Sequence, residues 1–263
     1  MNLSLQGKHA LVCGSTQGIG RASAFELAGL GARITLLARN EAALHETCEA
    51  LPPVEGGAHD YLAADFAHPD RLGERVQQYL GTHRRPFHIL VNNTGGPPGG
   101  PIADATIEAF LAAYQMHLVC NHLLVQALLP GMQAAGYGRI INIISTSVKI
   151  PIDGLGVSNT TRGAVASWAK TLANELGPQG ITVNNVLPGF TETGRLAALI
   201  QRQAEREGRT YEAVAAQLQT TTPARRFAQP EEVAAAVAFL ASPAAAYING
   251  INLPVDGGRT GAL

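Results

Sequence analysis

The feature that most constrains the fold of this 263-residue sequence is a glycine-rich turn near its beginning. The segment LVCGSTQGIGRASAFELA places Gly14, Gly18 and Gly20 between an apolar run and a helical pattern. Glycines at such a turn let the backbone bend sharply and approach a pyrophosphate, toward which the following helix directs free N–H groups and a positive dipole. The spacing is GxxxGxG rather than the more usual GxGxxG, so a plain tight turn is the alternative interpretation.

Short apolar runs alternate with helical patterns along the rest of the chain. Runs that are apolar nearly throughout are typical of strands buried on both faces of a parallel sheet. The sequence predicts strands at HALVCG, RITLLA, DYLAAD, FHILVNN, GRIINIIS, ITVNNVLPG and GINLPVDGG. It predicts helices over residues 19–30, 41–50, 69–82, 106–135, 156–177 and 229–241. We therefore expect a single α/β domain over residues 1–263, a Rossmann-type doubly wound parallel sheet of about seven strands with helices on both faces.

Residues 194–222 break this alternation. Their sequence, GRLAALIQRQAEREGRTYEAVAAQLQTTT, is polar and favours helix. An insertion at the carboxyl ends of the strands commonly covers a ligand. We therefore expect a helical insertion that acts as a substrate lid.

Composition limits the classes of partner and the compartment. The net charge is −1, which gives no electrostatic reason to expect a nucleic-acid or membrane partner. No stretch approaches the roughly 20 apolar residues of a membrane span, and the N-terminus has no signal-peptide pattern. Cys13, Cys48 and Cys120 have neither metal nor disulfide spacing, so we expect reduced thiols and a cytoplasmic protein.

The end of the second predicted strand favours one nucleotide over another. Sites for NAD usually place an acidic residue there to bond the ribose 2′-hydroxyl. This chain reads LLARN, with Ala38 followed by Arg39, so no carboxylate repels a 2′-phosphate and a guanidinium is available to hold it. The sequence predicts NADP(H), unless Arg39 only begins the next helix in solvent.

Later motifs extend the pattern, namely AADF, NNTG, NIIS, LPGFTET, RRFAQPEEVA and INLPVDGG. With GSTQGIG they resemble the short-chain dehydrogenase/reductase family from about Lys8 to Gly258, and in particular its 3-oxoacyl-[acyl-carrier-protein] reductase-like group. Besides Arg39, the cofactor-binding residues expected from these motifs are Gly14, Ser15, Thr16, Gly18, Ile19, Gly20, Asp65, Phe66, Asn93, Thr94, Gly95, Arg162, Pro188, Gly189, Thr191 and Thr193.

The resemblance also locates the catalytic positions, where this chain departs from the family. Members use Asn, Ser, Tyr and Lys, with the tyrosine thirteen residues after the serine and the lysine four residues later. Here Ser145 keeps the serine position, while Ser158 and Arg162 stand at the tyrosine and lysine positions. His117 stands at the asparagine position, so three of the four residue types have changed.

These changes alter the available chemistry. The Ser158 hydroxyl is shorter and a poorer proton donor than a phenol of pKa ~10. Arg162 can still hold ribose hydroxyls, but it does not deprotonate and is a poor proton shuttle. His117 could titrate near neutrality, which makes it the best local substitute for an acid or base. Lys149 is a further candidate if it is partly desolvated, and an exposed loop lysine otherwise.

Helical spacing predicts that these polar groups face inward. On one helix the predicted inward stripe contains Tyr114, His117, Leu118, Asn121, Val125 and Leu128. On the next it contains Ser158, Arg162, Val165, Ala169, Leu172 and Leu176. Polar groups on such stripes either line a cavity or form a satisfied structural network.

Two main functions fit the sequence. The first is an NADP(H)-dependent oxidoreductase acting on a small carbonyl or hydroxyl compound or an acyl thioester. The second is a nucleotide-binding protein with little or no turnover, serving as a sensor or an assembly subunit. A lyase or isomerase that reuses the cavity ranks last. The resemblance implies a homo-oligomer, a tetramer or a dimer, built through the fourth and fifth helices and the C-terminal strand.

Overall fold

One parallel sheet organises the molecule, whose computed structural model describes residues 1–262. Within these residues seven strands lie in the order β3-β2-β1-β4-β5-β6-β7. Their bounds are β1 (His9–Cys13), β2 (Arg33–Ala38), β3 (Asp60–Ala63), β4 (Ile89–Asn92), β5 (Gly138–Ile143), β6 (Ile181–Pro188) and β7 (Asn252–Val255). The strand order reverses between β1 and β4, where doubly wound sheets open a ligand crevice. The predicted fold class is confirmed, although Leu263 lies outside the described residues.

Helices connect the strands at the predicted places. Their bounds are α1 (Gly18–Gly29), α2 (Glu41–Ala50), α3 (Pro69–His83), α4 (Ile107–Tyr114), α5 (Cys120–Ala135), α6 (Gly156–Leu176), α7 (Gly194–Glu207), α8 (Tyr211–Thr220) and α9 (Pro230–Ala241). The helix predicted over 106–135 is divided by a π turn at Gln115–Val119, between α4 and α5. Within residues 1–262, no helix is both long enough and apolar enough to span a membrane.

Both faces of the sheet are covered by apolar side chains. On one face, Ile89 and Val91 of β4 pack in a cluster that includes Leu27 of α1 and Val237 of α9. On the other face, Leu90 of β4 lies in a cluster with residues of α3, α5 and α6. Because neighbouring strand residues point to opposite faces, this alternation explains why the strands are apolar throughout.

A row of four asparagines crosses the sheet in register. Asn92, Asn142, Asn185 and Asn252 are aligned partners on β4, β5, β6 and β7. Each side-chain amide donates to the next carbonyl oxygen, at 2.8 Å, 2.9 Å and 2.8 Å in turn. Buried polar groups are costly unless they are hydrogen-bonded, so these three bonds stabilise the row, while the Asn92 Oδ1 atom at its end has no partner in the described residues.

The insertion at residues 194–222 contains α7 and α8, as its composition predicts. Its buried residues Leu196, Ile200, Ala204 and Val214 form a small cluster with Phe227, and Phe190 of the loop after β6 packs against this cluster. This cluster is distinct from the two that cover the sheet. The two helices therefore have a packing core of their own beside the carboxyl ends of the strands.

Candidate active site

The carboxyl ends of β1 and β4 meet at the glycine-rich turn. The side-chain amide of Asn93 donates to the carbonyl oxygens of Cys13 and Gly14, at 3.3 Å and 3.4 Å. Gly14 has a φ of +59°, and a Cβ there would lie 2.7 Å from Asn93 Nδ2. Both the backbone conformation and the close approach therefore require glycine at this position.

The N-terminus of α1 is open to a ligand. Gln17 precedes the helix without a side-chain capping bond, and the first turn carries no acidic residue. Its backbone N–H groups and dipole are therefore free to receive an anion. A Cβ on Gly18 would lie 3.0 Å from Thr193 Cγ2, so the turn faces the loop after β6. Ser15 is buried and donates to the carbonyl oxygen of Leu37 at 3.4 Å.

The ends of β2 and β3 form the outer part of the same edge. Arg39 is exposed directly after β2, and within residues 1–262 it forms no salt bridge. Asp65 is half-buried and accepts a hydrogen bond from the Ala67 N–H at 3.0 Å. Phe66 is only 6% exposed and packs in the core. A bound nucleotide could therefore contact the backbone of Phe66 but not its buried ring.

The loop after β6 supplies the opposite wall. The Gly189 N–H donates to the Val255 carbonyl at 2.9 Å, and a Cβ on Gly189 would lie 2.7 Å from Asp256 Cα. Thr191 donates to the Gly189 carbonyl at 3.3 Å, while Thr193 caps α7. These bonds fix the loop against the C-terminal segment at the edge of the crevice.

The two serines at the catalytic positions differ in their bonding. Ser145 follows β5 and accepts a hydrogen bond from the Ser147 N–H at 3.1 Å. Ser158 lies in the first turns of α6, is 7% exposed, and makes no side-chain hydrogen bond within residues 1–262. Its hydroxyl is therefore available to a ligand or a water molecule.

Arg162 lies one helical turn after Ser158 on the buried face of α6. Its Nη1 atom donates to the carbonyl oxygens of Ile143 and Ile144, at 2.9 Å and 3.0 Å. Burial, and then repulsion from Arg195, lowers the pKa of Arg162 to about 10. The guanidinium is therefore still charged at neutral pH, beside the carboxyl end of β5.

His117 lies in the π turn, where its surroundings disfavour the charged form of its ring. It is 4% exposed, and its Nε2 atom has no hydrogen-bond partner in the described residues. Burial, followed by repulsion from Arg162 and Arg195, lowers the pKa of His117 to about 3. The expectation that His117 titrates near neutrality is therefore wrong, because two nearby cations and a dry environment keep its ring neutral.

Two other positions can be compared with the sequence analysis. Lys149 is exposed at the end of a short turn after β5, which agrees with the alternative of an exposed loop lysine. Tyr114 is 48% exposed and lies outside the inward stripe of its helix. The π turn explains this difference, because it adds a residue to one helical turn and offsets the face before it from the face after it.

Arg195 is a site residue that the sequence reasoning missed. It lies in the first turn of α7, and its Nη1 and Nη2 atoms donate to the carbonyl oxygens of Gly96 and Pro97 at 2.9 Å and 3.4 Å. Much of this side chain is exposed, but its charge is close enough to lower the pKa of both His117 and Arg162. Its position two residues after the end of the LPGFTET motif was the one signal in the sequence.

Comparison with known proteins decides the family. The family model described as Enoyl-(Acyl carrier protein) reductase matches residues 14–260. The chain belongs to the short-chain dehydrogenase/reductase family. It is 35% identical over 266 residues to 3-oxoacyl-[acyl-carrier-protein] reductase FabG of Pseudomonas aeruginosa, an alignment that covers 97% of this chain and 98% of that protein.

Solved structures agree with this assignment. L-sorbose reductase from Gluconobacter frateurii, solved with NADPH and L-sorbose, is 32% identical with a TM-score of 0.93 and full coverage of both chains. YwfH, described as an NADPH-dependent reductase involved in bacilysin biosynthesis, is 26% identical with a TM-score of 0.90, covering 97% of this chain and 99% of its own. The 3-oxoacyl reductase-like resemblance is thereby confirmed.

Two cavities border the crevice of this short-chain dehydrogenase/reductase. One of about 380 Å³ lies between the loop after β6 and the insertion, where Thr193, Leu196 and Tyr211 line it. The other, of about 350 Å³, lies between the segment after Ser145 and the C-terminal tail, where Thr146 and Arg259 line it. Either is large enough to hold a small molecule.

Proposed function

We propose that this chain is an NADP(H)-dependent oxidoreductase acting on a small carbonyl or hydroxyl substrate, in the manner of 3-oxoacyl reductases. Ser158 and Arg162 take the places of the family's tyrosine and lysine. The observation that carries the proposal is the buried, charged Arg162, fixed to the carbonyls of Ile143 and Ile144 at the end of β5. A cation in this place is positioned for a ribose and for a developing negative charge.

The described residues fit the cofactor. The uncapped N-terminus of α1 would receive the pyrophosphate, and exposed Arg39 would pair with the 2′-phosphate. L-sorbose reductase was solved with NADPH and YwfH is an NADPH-dependent reductase, which supports the same choice here. The remaining contacts would come from Gly14, Ser15, Thr16, Gly18, Ile19, Gly20, Asp65, Phe66, Asn93, Thr94, Gly95, Arg162, Pro188, Gly189, Thr191 and Thr193.

The chemistry combines hydride transfer with protonation. When bound, the cofactor would supply a hydride for the carbonyl carbon, and the carbonyl oxygen would take a proton to become a hydroxyl. Ser145 and Ser158 would orient that oxygen, and a water at Ser158 would deliver the proton, since serine reaches less far than tyrosine. Arg162 would hold the ribose and stabilise the growing negative charge without giving up its own proton.

The helices of residues 194–222 would serve as the substrate lid. Arg195 already joins α7 to the loop after β4 through the Gly96 carbonyl at 2.9 Å. This bond spans the crevice between two segments that would both contact the nicotinamide half. A lid in this position would exclude water from the reacting carbonyl.

The second candidate is a nucleotide-binding protein with little turnover. It is favoured by the loss of every obvious proton donor: the phenol is absent, Lys149 is exposed, and the pKa of His117 is held at about 3. The decisive experiment measures NADPH binding by its fluorescence, then NADPH consumption with a panel of ketones and 3-oxoacyl thioesters. Binding with consumption supports the oxidoreductase, binding alone supports the second candidate, and no binding rejects both.

We also propose that the chain forms a homo-oligomer through α4. Ile107, Leu111 and Tyr114 are 69%, 59% and 48% exposed and follow one another at helical spacing. An exposed apolar stripe of this kind is typical of a face that packs against another protein. A solution mass of 27.5 kDa, that of one chain, would contradict this proposal.

A further inference from the structure

The cavity of about 350 Å³ lies between the segment after Ser145 and the C-terminal tail. Thr146 in its wall is the residue that directly follows Ser145, and Arg259 in its wall belongs to the tail after β7. Small-molecule sites have volumes of about 300–1,000 Å³. A ligand in this cavity would therefore contact both a cation of the tail and the residue next to the family's serine position.

A second contact connects Arg259 with the crevice. Its Cζ atom lies over the face of the Phe190 ring, 4.3 Å from the ring centroid. Phe190 stands between Gly189 and Thr191 in the loop after β6, which forms one wall of the crevice. The cation in the cavity wall is therefore held against the loop from which two of the expected cofactor contacts come.

The backbone around Arg259 is fixed by a turn of the tail. The Asp256 carboxylate accepts hydrogen bonds from the N–H groups of Gly258 and Thr260, at 3.0 Å and 2.7 Å. The Arg259 N–H donates to the Asp256 carbonyl oxygen at 3.2 Å. Asp256 thus positions Arg259, yet its carboxylate forms no salt bridge with the guanidinium in the described part of the chain.

The Arg259 side chain has donors to spare. Its Nε atom is buried without a hydrogen-bond partner, and the side chain forms no salt bridge within residues 1–262. Stacking on Phe190 uses the face of the planar guanidinium and leaves its in-plane N–H groups free. Buried donors in native proteins are nearly always bonded, so this arginine is matched to an acceptor that a ligand would bring.

The rest of the cavity wall suits the same kind of acceptor. Thr146 is 5% exposed and, among residues 1–262, its hydroxyl makes no hydrogen bond, so it can donate to a ligand. Thr260 adds a second hydroxyl to the wall. The other charge in the wall belongs to Asp153, which is exposed and therefore screened by solvent.

We propose that Arg259 binds the carboxylate of an oxo-acid substrate in this cavity, with the carbonyl group of the same molecule directed toward Ser145. This inference rests on the proposed function, since it names the substrate class for that reaction. A guanidinium offers a carboxylate two parallel N–H donors, and a threonine hydroxyl can bond the same group. The enzyme would therefore prefer carbonyl compounds that carry an acid group over neutral ketones.

The test pairs each oxo acid with its primary amide, which keeps the shape of the acid and removes its charge. NADPH binding is measured first, and then KM and kcat for 2-oxo, 3-oxo and 4-oxo acids beside their amides. Protein loaded with NADP⁺ is also titrated by calorimetry with the matching hydroxy acids and hydroxy amides, which needs no turnover. We expect the preferred acid to bind at least about tenfold more tightly than its amide, with the difference in KM.

Variants separate a binding role of Arg259 from a structural one. Arg259→Met removes the charge, and methionine still packs well on the Phe190 ring. It should weaken acid binding about 10- to 100-fold and leave both amide binding and NADPH binding within about twofold. Arg259→Lys keeps the charge without the planar fork, so it should recover part of the acid preference. Arg206→Met on α7, where the side chain is 76% exposed, controls for a general loss of positive charge.

The outcomes distinguish this inference from the proposed function. Equal affinity for acid and amide in a protein that binds NADPH overturns the inference and leaves the proposed function intact. Equal weakening of both ligands by Arg259→Met also overturns it, since that result shows only a structural contact between the tail and Phe190. The same is true if Arg206→Met weakens acid binding as much as Arg259→Met does. A wild-type protein that binds no NADPH overturns both proposals.

Discussion

The Nη1 atom of Arg162 lies 2.9 Å from the carbonyl oxygen of Ile143 and donates a hydrogen bond to it. Because Ile143 ends β5, this bond ties a buried positive charge on α6 to the edge of the sheet where the candidate crevice lies. The arrangement holds the guanidinium in one place, but no carboxylate of residues 1–262 neutralises it. A charge retained under these conditions is better explained by a ligand than by stability.

Replacing Arg162 should therefore affect binding more than folding. Its charged hydrogen bonds contribute about 1.5–3 kcal/mol each, whereas burying an unpaired charge costs several kcal/mol. We expect Arg162→Met to keep the free energy of unfolding within about 1 kcal/mol while weakening NADPH binding at least tenfold. Urea unfolding and NADPH fluorescence measure the two effects. A large loss of stability with unchanged NADPH binding would instead show a structural arginine.

Restoring the family's residue types should raise activity. The double substitution Ser158→Tyr with Arg162→Lys returns a phenol and an ammonium to one face of α6. General acid catalysis contributes about 10²–10⁴-fold, so reduction of a 3-oxoacyl thioester should rise by about 10²-fold. Steady-state NADPH oxidation measures it, with Ser158→Phe as the control that matches size without the hydroxyl. Equal rates for the double variant and the wild type would show that the cavity has diverged more widely.

The fold could be predicted because its signals are local. The apolar runs at β1 to β7 and the glycines of the first turn each depend on residues close together in sequence. Gly14, with its φ of +59°, is required by the backbone itself, and such a requirement is visible in the sequence. The helices of residues 194–222 could likewise be predicted from their composition, although composition alone did not show which residues they contact.

The site was predicted less well because its properties depend on distant contacts. The low pKa of His117 arises from burial and from Arg162 and Arg195, which are 45 and 78 residues away along the chain. The π turn that brings His117 inward and leaves Tyr114 exposed has no local signature in a pattern of 3.6-residue periodicity. Lys149 shows the same limit, since exposure of a loop residue is decided by its surroundings.

The asparagine row should be sensitive at its centre. Asn142 is fully buried and is bonded on both sides, to Asn92 at 2.8 Å and to Asn185 at 2.9 Å. Asn142→Leu leaves two buried partners unsatisfied, so it should lower the free energy of unfolding by about 2–5 kcal/mol. The control Asn252→Leu, at the half-buried end of the row, should cost less than about 2 kcal/mol. Equal losses in urea unfolding would show that the row is not cooperative.

Acid should destabilise the protein through His9, which is 5% exposed at the start of β1. Burial, and then the neighbouring His88, lowers the pKa of His9 to about 4, from 6.5 when unfolded. Between these two pH values the unfolded chain binds more protons at His9 than the folded chain does. The contribution of His9 to the free energy of unfolding is therefore present in full above pH 6.5 and is lost as pH falls toward 4. This contribution is about 3 kcal/mol, because each factor of ten in affinity for the proton corresponds to about 1.36 kcal/mol.

The measurement is urea unfolding at pH 7 and pH 4.5 for the wild type and for His9→Gln. The variant loses the 2.8 Å hydrogen bond between the ring Nε2 atom and the Thr35 hydroxyl, but it no longer titrates. Its stability should therefore fall less than that of the wild type between the two pH values. His45→Gln, with a side chain 59% exposed on α2, should behave as the wild type. Parallel losses in all three proteins would exclude His9 as a source of acid sensitivity.

Arg39 should decide which nucleotide is bound. It is exposed at the end of β2 without a salt bridge in residues 1–262, so its guanidinium is free to pair with a 2′-phosphate. Arg39→Ala should weaken NADPH binding about 10- to 100-fold and leave NADH binding within about twofold, because only the 2′-phosphate contact is lost. Arg39→Glu should go further and favour NADH, since a carboxylate repels the phosphate and can accept a hydrogen bond from the ribose hydroxyl.

The control for a general loss of positive charge is Arg71→Ala, at an exposed position on α3. If Arg39→Ala weakens both nucleotides equally, the arginine contacts the shared part of the cofactor, and its role in nucleotide choice must be abandoned.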